Sequence, residues 1–357
     1  MWSQIAVLCS FLLYTVYSQN TDDCVCVQYY QCSVNGTVIT DGDGLLGERL
    51  GDSCNNCNCQ GTDVCCLLPK NETVVSRQPE TLPACGYSNS NGIGNSNAGD
   101  STTSLGNESV FGEFPWMVQI FEDSKYRCGG SLIHPSVVLT AAHCVKFFNN
   151  RTYTVRAGEW DTSSTNEIMK HEDRGVFAIK SHEGFRDKIY YNDVALVFLS
   201  EAFNLKPHIN VACLAPAEGI STNTRCFTIG WGKPKIAPNQ NDSTILKKID
   251  LPLIGRPDCQ KALRTTRVGQ YFNLHESFIC AGGEKDKDAC TGDGGGPLFC
   301  PIEGQENRFQ QVGIVAWGID CNTEGIPGVY ADVSVLRKWI DKEMSSRNLE
   351  TNIYQPS

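Results

Sequence analysis

The sequence predicts an all-β domain preceded by a small segment that disulfides hold together. From Val110 onward, short apolar runs alternate with turn residues, as in MVQIF, SVVLTAA, DVALVFL and GIVAW, and this spacing favours a barrel or a sandwich. Upstream, eight of the 19 cysteines lie between Cys24 and Cys66. A stretch of that length cannot bury a core that folds without covalent links.

Composition and charge exclude several classes of function. Of the 357 residues, 41% are hydrophobic, which excludes a disordered chain and suffices for a large core. The 30 Lys and Arg against 40 Asp and Glu give a net charge of −10. The chain therefore lacks the basic excess that nucleic acid requires, and we expect no nucleic-acid partner. No apolar stretch approaches the roughly 20 residues of a membrane span, so we expect no membrane partner.

Residues 1–18 have the pattern of a signal peptide. An apolar run extends from Ile5 to Tyr17 and is followed by a small residue, Ser18; the alternative, a membrane anchor, needs more than these 13 residues. Cleavage after Ser18 removes Cys9 and leaves 19 − 1 = 18 cysteines, an even number that indicates disulfides in an exported chain. We therefore expect a secreted glycoprotein. The sequon asparagines are Asn35, Asn71, Asn107, Asn150 and Asn241.

Residues 19–67 form the predicted small domain. Its cysteines are Cys24, Cys26, Cys32, Cys54, Cys57, Cys59, Cys65 and Cys66. The spacing of Cys54, Cys57 and Cys59 would also suit a metal site, but an oxidising compartment favours disulfides. Because eight cysteines allow on the order of 100 pairings, their connectivity stays open.

The rest of the chain divides into three parts. Residues 68–108 are predicted to be a flexible linker, since Gly, Asn and Ser dominate its second half; Cys85 inside it needs a distant partner. Residues 109–346 form the β domain, which ends in a helix because apolar residues recur at helical spacing from Val335 to Ile340. Residues 347–357 are a tail.

Four short segments carry candidate catalytic chemistry: TAAHC ending at Cys144, NDVAL beginning at Asn192, CTGDGGGP ending at Pro297 and AWG ending at Gly318. Each alone is a weak signal. Their joint order, a histidine, then an aspartate, then a glycine-rich loop, resembles the chymotrypsin/trypsin family of serine peptidases. The resemblance covers residues 110–344 and implies a chymotrypsin-like double β-barrel with a C-terminal helix.

In that family a histidine acts as general base, an aspartate orients it and a serine attacks the substrate. The resemblance assigns the first two roles to His143 and Asp193, but Gly294 stands where the serine should follow Asp293. Glycine has no oxygen for His143 to deprotonate, so no acyl-enzyme can form. Loss of the nucleophile costs about 10⁶-fold in kcat in subtilisin. We therefore predict a pseudo-protease; an active peptidase with a non-standard nucleophile is the alternative.

The family's activation signal is also missing. Active members are cut after Arg or Lys before an IVGG-like segment, and the new amino terminus pairs with the residue that corresponds to Asp293. No Lys or Arg lies between Arg77 and Lys125. We therefore expect Asp293 to lack its ammonium partner and the loop around it to stay zymogen-like and partly mobile. Arg77 and Arg49 are the candidate cleavage sites.

Three residues match the family's specificity pocket for basic side chains, with Asp288 at its base and Gly318 and Gly328 lining it. The alternative is a solvated, idle Asp288. The family pattern also implies four disulfides in the β domain, which leaves Cys85 and Cys213 to form a fifth. The pairs are Cys128–Cys144, Cys226–Cys300, Cys259–Cys280, Cys290–Cys321 and Cys85–Cys213.

A segment that begins at Gly158 resembles the family's calcium loop. Glu159 is its best-matched carboxylate, and Asp161 and Glu167 add oxygen donors of the kind that calcium prefers. The resemblance thus implies calcium as a cofactor, with an acidic exposed loop as the alternative.

The small domain, with its adjacent pair Cys65-Cys66, resembles a clip domain, although clip domains usually carry six cysteines. A clip domain ahead of GDGGGP resembles the clip-domain serine protease homologues of arthropod haemolymph, especially the prophenoloxidase-activating-factor II or masquerade-like group, which shares ACGY and GEFPWMV segments. The resemblance implies an adaptor in melanisation and innate immunity. Its expected partners are prophenoloxidase, an active clip-domain protease and, once cut, further copies of itself. The alternative is a recognition protein for microbial or cell surfaces.

Overall fold

The computed structural model describes residues 24–28, 63–67, 84–93, 107–165, 167–222, 224–232, 244–285, 293–319 and 323–356. The chain divides into two units, Met1–Thr81 and Leu82–Ser357. In the first unit, strands β1 (Cys24–Gln28) and β2 (Asp63–Leu67) pair antiparallel. The signal peptide, the pairing of the clip cysteines, both candidate cleavage sites and the sequons at Asn35, Asn71 and Asn241 lie outside the described residues or side chains.

The first half of the second unit is a closed barrel of six antiparallel strands in the order β3-β4-β5-β8-β7-β6. Its strands are β3 (Met117–Glu122), β4 (Lys125–His134), β5 (Val137–Thr140), β6 (Tyr153–Ala157), β7 (Glu172–Ser181) and β8 (Ala195–Leu199). The apolar runs seen in the sequence line its interior: all of β5 and all of β8 are buried. Burial of this apolar surface is the main force that closes the barrel.

A second barrel follows. Its strands are β9 (Cys213–Leu214), β10 (Arg225–Gly230), β11 (Lys247–Ile254), β12 (Phe278–Gly282), β13 (Pro297–Pro301), β14 (Phe309–Trp317) and β15 (Pro327–Asp332). The sheet runs β13-β10-β11-β12-β15-β14, and β13 also pairs with β14, which closes six strands into a ring; β9 joins β14 in parallel at the edge. The predicted double β-barrel is confirmed.

In the part of the chain that the structure describes, the α-helices are α1 (Ala142–Val145), α2 (Arg256–Arg264) and α3 (Val333–Ser345), with short 3-10 helices at Phe148–Asn150 and Asn352–Tyr354. The predicted C-terminal helix is α3. The Asp332 side chain accepts hydrogen bonds from the backbone of Ser334 and Val335 and so caps its first turn. Leu336 and Ile340 are buried, whereas Val335 is exposed. Among the described residues, no helix is both long and apolar enough to cross a membrane.

Residues 84–93 fall in the predicted flexible linker, yet in the structure they are part of the second unit. Cys85 is bonded to Cys213, and the Nε of the buried Arg308 donates to the Cys85 carbonyl at 2.9 Å. Between them, Gly86 has φ +77°, and a β-carbon there would overlap the carbonyl oxygen of Phe309. Only glycine fits this turn without strain.

The tail also packs onto the domain. Tyr354 is fully buried, and its hydroxyl donates to Asp341 of α3 at 2.7 Å. The predicted linker and tail therefore each contain a stretch that is fixed by contacts far away in sequence. The domain boundaries themselves stay predictions.

Candidate functional site

The histidine and the aspartate of the predicted dyad meet because their strands are neighbours. His143 is the second residue of α1, just after β5, and Asp193 stands two residues before β8, while Thr140 and Ala195 pair across these strands. Asp193 is fully buried. Its Oδ2 lies 2.6 Å from the His143 Nδ1, and its Oδ1 accepts the His143 backbone N–H at 2.9 Å. This arrangement fixes the imidazole and turns its Nε2 toward the second barrel.

Opposite that Nε2 stands Gly294, just before β13. A β-carbon built on Gly294 would lie 3.1 Å from the His143 Nε2. The backbone here is fixed, since Gly294 accepts the Gly129 N–H at 3.0 Å and Gly295 donates to Val315 at 2.9 Å. The structure thus holds the base, the residue that orients it and the loop of a hydrolytic site, with no side-chain oxygen at position 294.

Asp293 is buried, and its Oδ1 accepts the Gly232 N–H at 2.8 Å. A β-carbon on Gly230 or Gly232 would overlap the Asp293 carboxylate. The two glycines of the segment TIGWG, residues 228–232, therefore leave the space that this carboxylate fills. We expected a zymogen-like, partly mobile loop around Asp293. Asp293 itself has a defined position, and residues 286–292 lie outside the described residues.

The specificity pocket is only partly described. Gly328 lies in β15 opposite Ala281, and a β-carbon on Gly318 would meet no atom within 4 Å. Asp288 lies outside the described residues, so its role as the base of the pocket stays a prediction.

Four disulfides occur among the described residues, and each joins a pair named from the sequence. They are Cys85–Cys213, Cys128–Cys144, Cys226–Cys300 and Cys259–Cys280. Cys290 and Cys321 lie outside the described residues. The sequons at Asn107 and Asn150 are exposed, as glycan attachment requires.

The predicted calcium loop has a different donor set from the one expected. Glu159, Glu167 and His171 each place one ligand atom within 4.8 Å of the others. Asp161 is not in this cluster; its Oδ1 accepts the Ser163 N–H at 3.1 Å and the Ser163 hydroxyl at 2.7 Å. Calcium takes six to eight oxygen ligands, and the cluster instead offers two carboxylates and an imidazole nitrogen. These three side chains alone do not supply the all-oxygen coordination that calcium takes, and calcium binding by the loop stays a prediction.

Burial is the main reason that the pKa of Glu159 rises from 4.5 to about 7, and the nearby Glu167 carboxylate adds to the shift. Sequence reasoning missed His171, whose Nδ1 lies 3.0 Å from the Glu159 Oε2. It lies twelve residues beyond Glu159, and only the closure of the loop brings them together. It also missed Arg156, whose Nη1 lies 3.3 Å from the same oxygen.

Comparison with known proteins agrees with this geometry. The family model described as trypsin matches residues 104–340. The chain belongs to the trypsin family. A second model, described as the serine protease clip domain PPAF-2, matches residues 15–67, so the trypsin-family domain follows a clip domain. The predicted identity as a clip-domain serine protease homologue is confirmed.

Three relatives illustrate the match. Phenoloxidase-activating factor 2 of Galleria mellonella is 46% identical over 289 residues, which cover 77% of this chain and 93% of that protein. Inactive CLIP domain-containing serine protease A28 of Anopheles gambiae is 33% identical over 91% of this chain and 89% of its own. Phenoloxidase-activating factor 1 of Holotrichia diomphalia is 31% identical over 92% of this chain and 94% of its own.

Proposed function

We propose that this serine protease homologue is a secreted, non-catalytic adaptor that promotes prophenoloxidase activation in arthropod haemolymph. The observation that carries the proposal is the juxtaposition of the His143–Asp193 pair with a glycine. The Asp193 Oδ2 orients the His143 imidazole at 2.6 Å, but residue 294 offers that imidazole no hydroxyl. Without a nucleophile the acyl-enzyme route is closed, so the domain acts by binding.

The names of the relatives support the biological setting. Three are phenoloxidase-activating factors, and three are named inactive clip-domain serine proteases. We therefore assign the chain to prophenoloxidase activation, where it acts together with an active clip-domain protease. Its partners are that protease, prophenoloxidase or both, and further copies of the chain after cleavage.

The test is a reconstituted mixture of prophenoloxidase and an active clip-domain protease, with and without the full-length protein, uncut and cut. We expect a dose-dependent rise in phenoloxidase activity, and no hydrolysis of Arg or Lys peptide amides by this protein alone. A His143→Ala variant is the matched control. Because the adaptor does not use the imidazole for chemistry, the variant should promote activation as well as the wild type does.

Two outcomes contradict the proposal. If folded, processed protein leaves phenoloxidase activity unchanged, the adaptor role is wrong, and pull-down on bacterial cell-wall components then tests recognition instead. If the wild type hydrolyses Arg or Lys peptide amides and His143→Ala does not, the dyad takes part in chemistry and the non-catalytic assignment is wrong.

A further inference from the structure

We propose that Glu159, Glu167 and His171 bind Zn²⁺. The segment resembles a calcium loop, but its side-chain donors suit zinc better. Two carboxylate oxygens and one imidazole nitrogen form a donor set that suits zinc, which binds through carboxylate and histidine side chains. Calcium prefers oxygen ligands alone. The proposal does not depend on the adaptor function.

The first argument is the placement of the donors. Their ligand atoms lie within 4.8 Å of one another, close enough for small movements to bring them onto one ion. The Glu159 side chain is only 2% exposed, whereas the His171 side chain is 23% exposed. The cluster is therefore anchored at the buried Glu159 end and reaches solvent at the His171 end, where an ion could enter.

The second argument is charge. Glu159 and Glu167 approach each other closely, since the backbone N–H of Trp160 donates to one oxygen of each, at 3.2 and 2.9 Å. Two carboxylates at this separation require a cation or a shared proton between them. A divalent ion answers that requirement, and an imidazole nitrogen of His171 completes a three-residue set.

Arg156 is the competing cation, but its geometry favours another partner. Its Nε and Nη2 form a bidentate pair with Asp173 at 2.8 and 2.9 Å, the strongest arrangement available to a guanidinium. Only Nη1 turns to Glu159, at the longer distance of 3.3 Å. Because Asp173 already neutralises Arg156, the two glutamates keep an excess of negative charge.

The position of the loop gives the ion a structural consequence. Trp160, next to Glu159, donates its indole N–H to the Ser109 carbonyl at 2.9 Å, and its own carbonyl accepts the Trp231 indole N–H at 3.1 Å. Ser109 begins the predicted protease-like domain, and Trp231 precedes the glycine that holds Asp293. An ion that fixes Trp160 would therefore also fix Ser109, at the start of the protease-like domain, and Trp231, beside the glycine that binds Asp293.

The experiment uses the full-length secreted protein stripped with EDTA, titrated with Zn²⁺ or Ca²⁺ and followed by calorimetry, thermal unfolding and tryptophan fluorescence. We expect one Zn²⁺ site that raises the melting temperature, and no comparable effect of Ca²⁺. His171→Gln should weaken Zn²⁺ binding by more than about tenfold, the loss that even an outer hydrogen-bond partner of a ligand causes. His134→Gln, which alters a histidine remote in sequence from the loop, is the matched control and should bind as the wild type does.

A second variant tests the choice of ion. His171→Glu supplies a third carboxylate and should shift the preference from Zn²⁺ toward Ca²⁺. Stronger stabilisation of the wild type by Ca²⁺ than by Zn²⁺ would overturn the proposal in favour of the calcium loop. Failure of both ions to bind would also overturn it and leave Arg156 as the counter-charge. Equal Zn²⁺ binding by wild type and a folded His171→Gln would show adventitious binding elsewhere.

Discussion

The Nε2 of His143 lies 3.1 Å from the point where a β-carbon on residue 294 would stand. This distance is shorter than ordinary van der Waals contact, so the imidazole partly occupies the space that a serine side chain would need. The glycine therefore removes the nucleophile and also lets the histidine settle against the glycine-rich loop. The dyad persists as a packed, hydrogen-bonded pair.

Gly294→Ser should not produce a working peptidase. The new β-carbon would require His143 to shift by a few tenths of an ångström, and the absence of Lys and Arg between Arg77 and Lys125 rules out the activation cut. We expect hydrolysis of Arg or Lys peptide amides to stay at the level of Gly294→Ala, which adds the same β-carbon without a hydroxyl. Turnover by the serine variant more than about a thousandfold above the alanine variant would contradict this, since a working nucleophile is worth about 10⁶-fold in subtilisin.

Gly86→Ala should destabilise the domain far more than Gly304→Ala. Both glycines have positive φ, +77° and +73°, which costs alanine about 1–2 kcal/mol at either site. At Gly304 a β-carbon meets no atom within 4 Å, whereas at Gly86 it overlaps the carbonyl oxygen of Phe309. We expect the free energy of unfolding to fall by about 1–2 kcal/mol for Gly304→Ala and by about 1–3 kcal/mol more for Gly86→Ala. Equal losses in urea titrations would show that the turn relaxes at no cost.

Apolar runs predicted a barrel or a sandwich, and the joint order of the motifs, which resembles the chymotrypsin/trypsin family, predicted the double β-barrel and the His143–Asp193 pair. Sequence patterns failed where the position of a segment depends on contacts with residues far away in the sequence. The polar segment that contains Gly86 was expected to be flexible apart from its predicted disulfide to Cys213, yet a hydrogen bond from Arg308 to the Cys85 carbonyl also fixes it. His171 was missed for the same reason, since only the folded loop brings it to Glu159.

The position of a processing cut should decide whether the clip domain stays attached. Cys85 is bonded to Cys213 in the β domain, so a cut at Arg77 releases the clip domain even without reductant, because its eight cysteines can pair among themselves. A protease site introduced between residues 94 and 106 should leave it attached until the disulfides are reduced. Gel electrophoresis of both cut forms with and without reductant measures this. A clip fragment that stays attached after the Arg77 cut would reveal a disulfide between the two units.

Glu183 should make a small contribution to stability that acid removes. The Lys180 Nζ hydrogen bond is the main cause of its pKa falling from 4.5 to about 2, and the Trp339 indole N–H also donates to it, at 2.9 Å. A folded-state pKa below the unfolded value means that this stability is present above about pH 4.5 and is lost as the pH falls toward 2. Because the pair is largely exposed, we expect Glu183→Gln to cost less than about 1 kcal/mol at pH 7. The difference from wild type in urea unfolding should shrink as the pH falls through about 2. Glu201→Gln, at an exposed glutamate, is the control. A difference that stays constant from pH 7 to pH 2 would mean that Glu183 acts through packing and not through its charge.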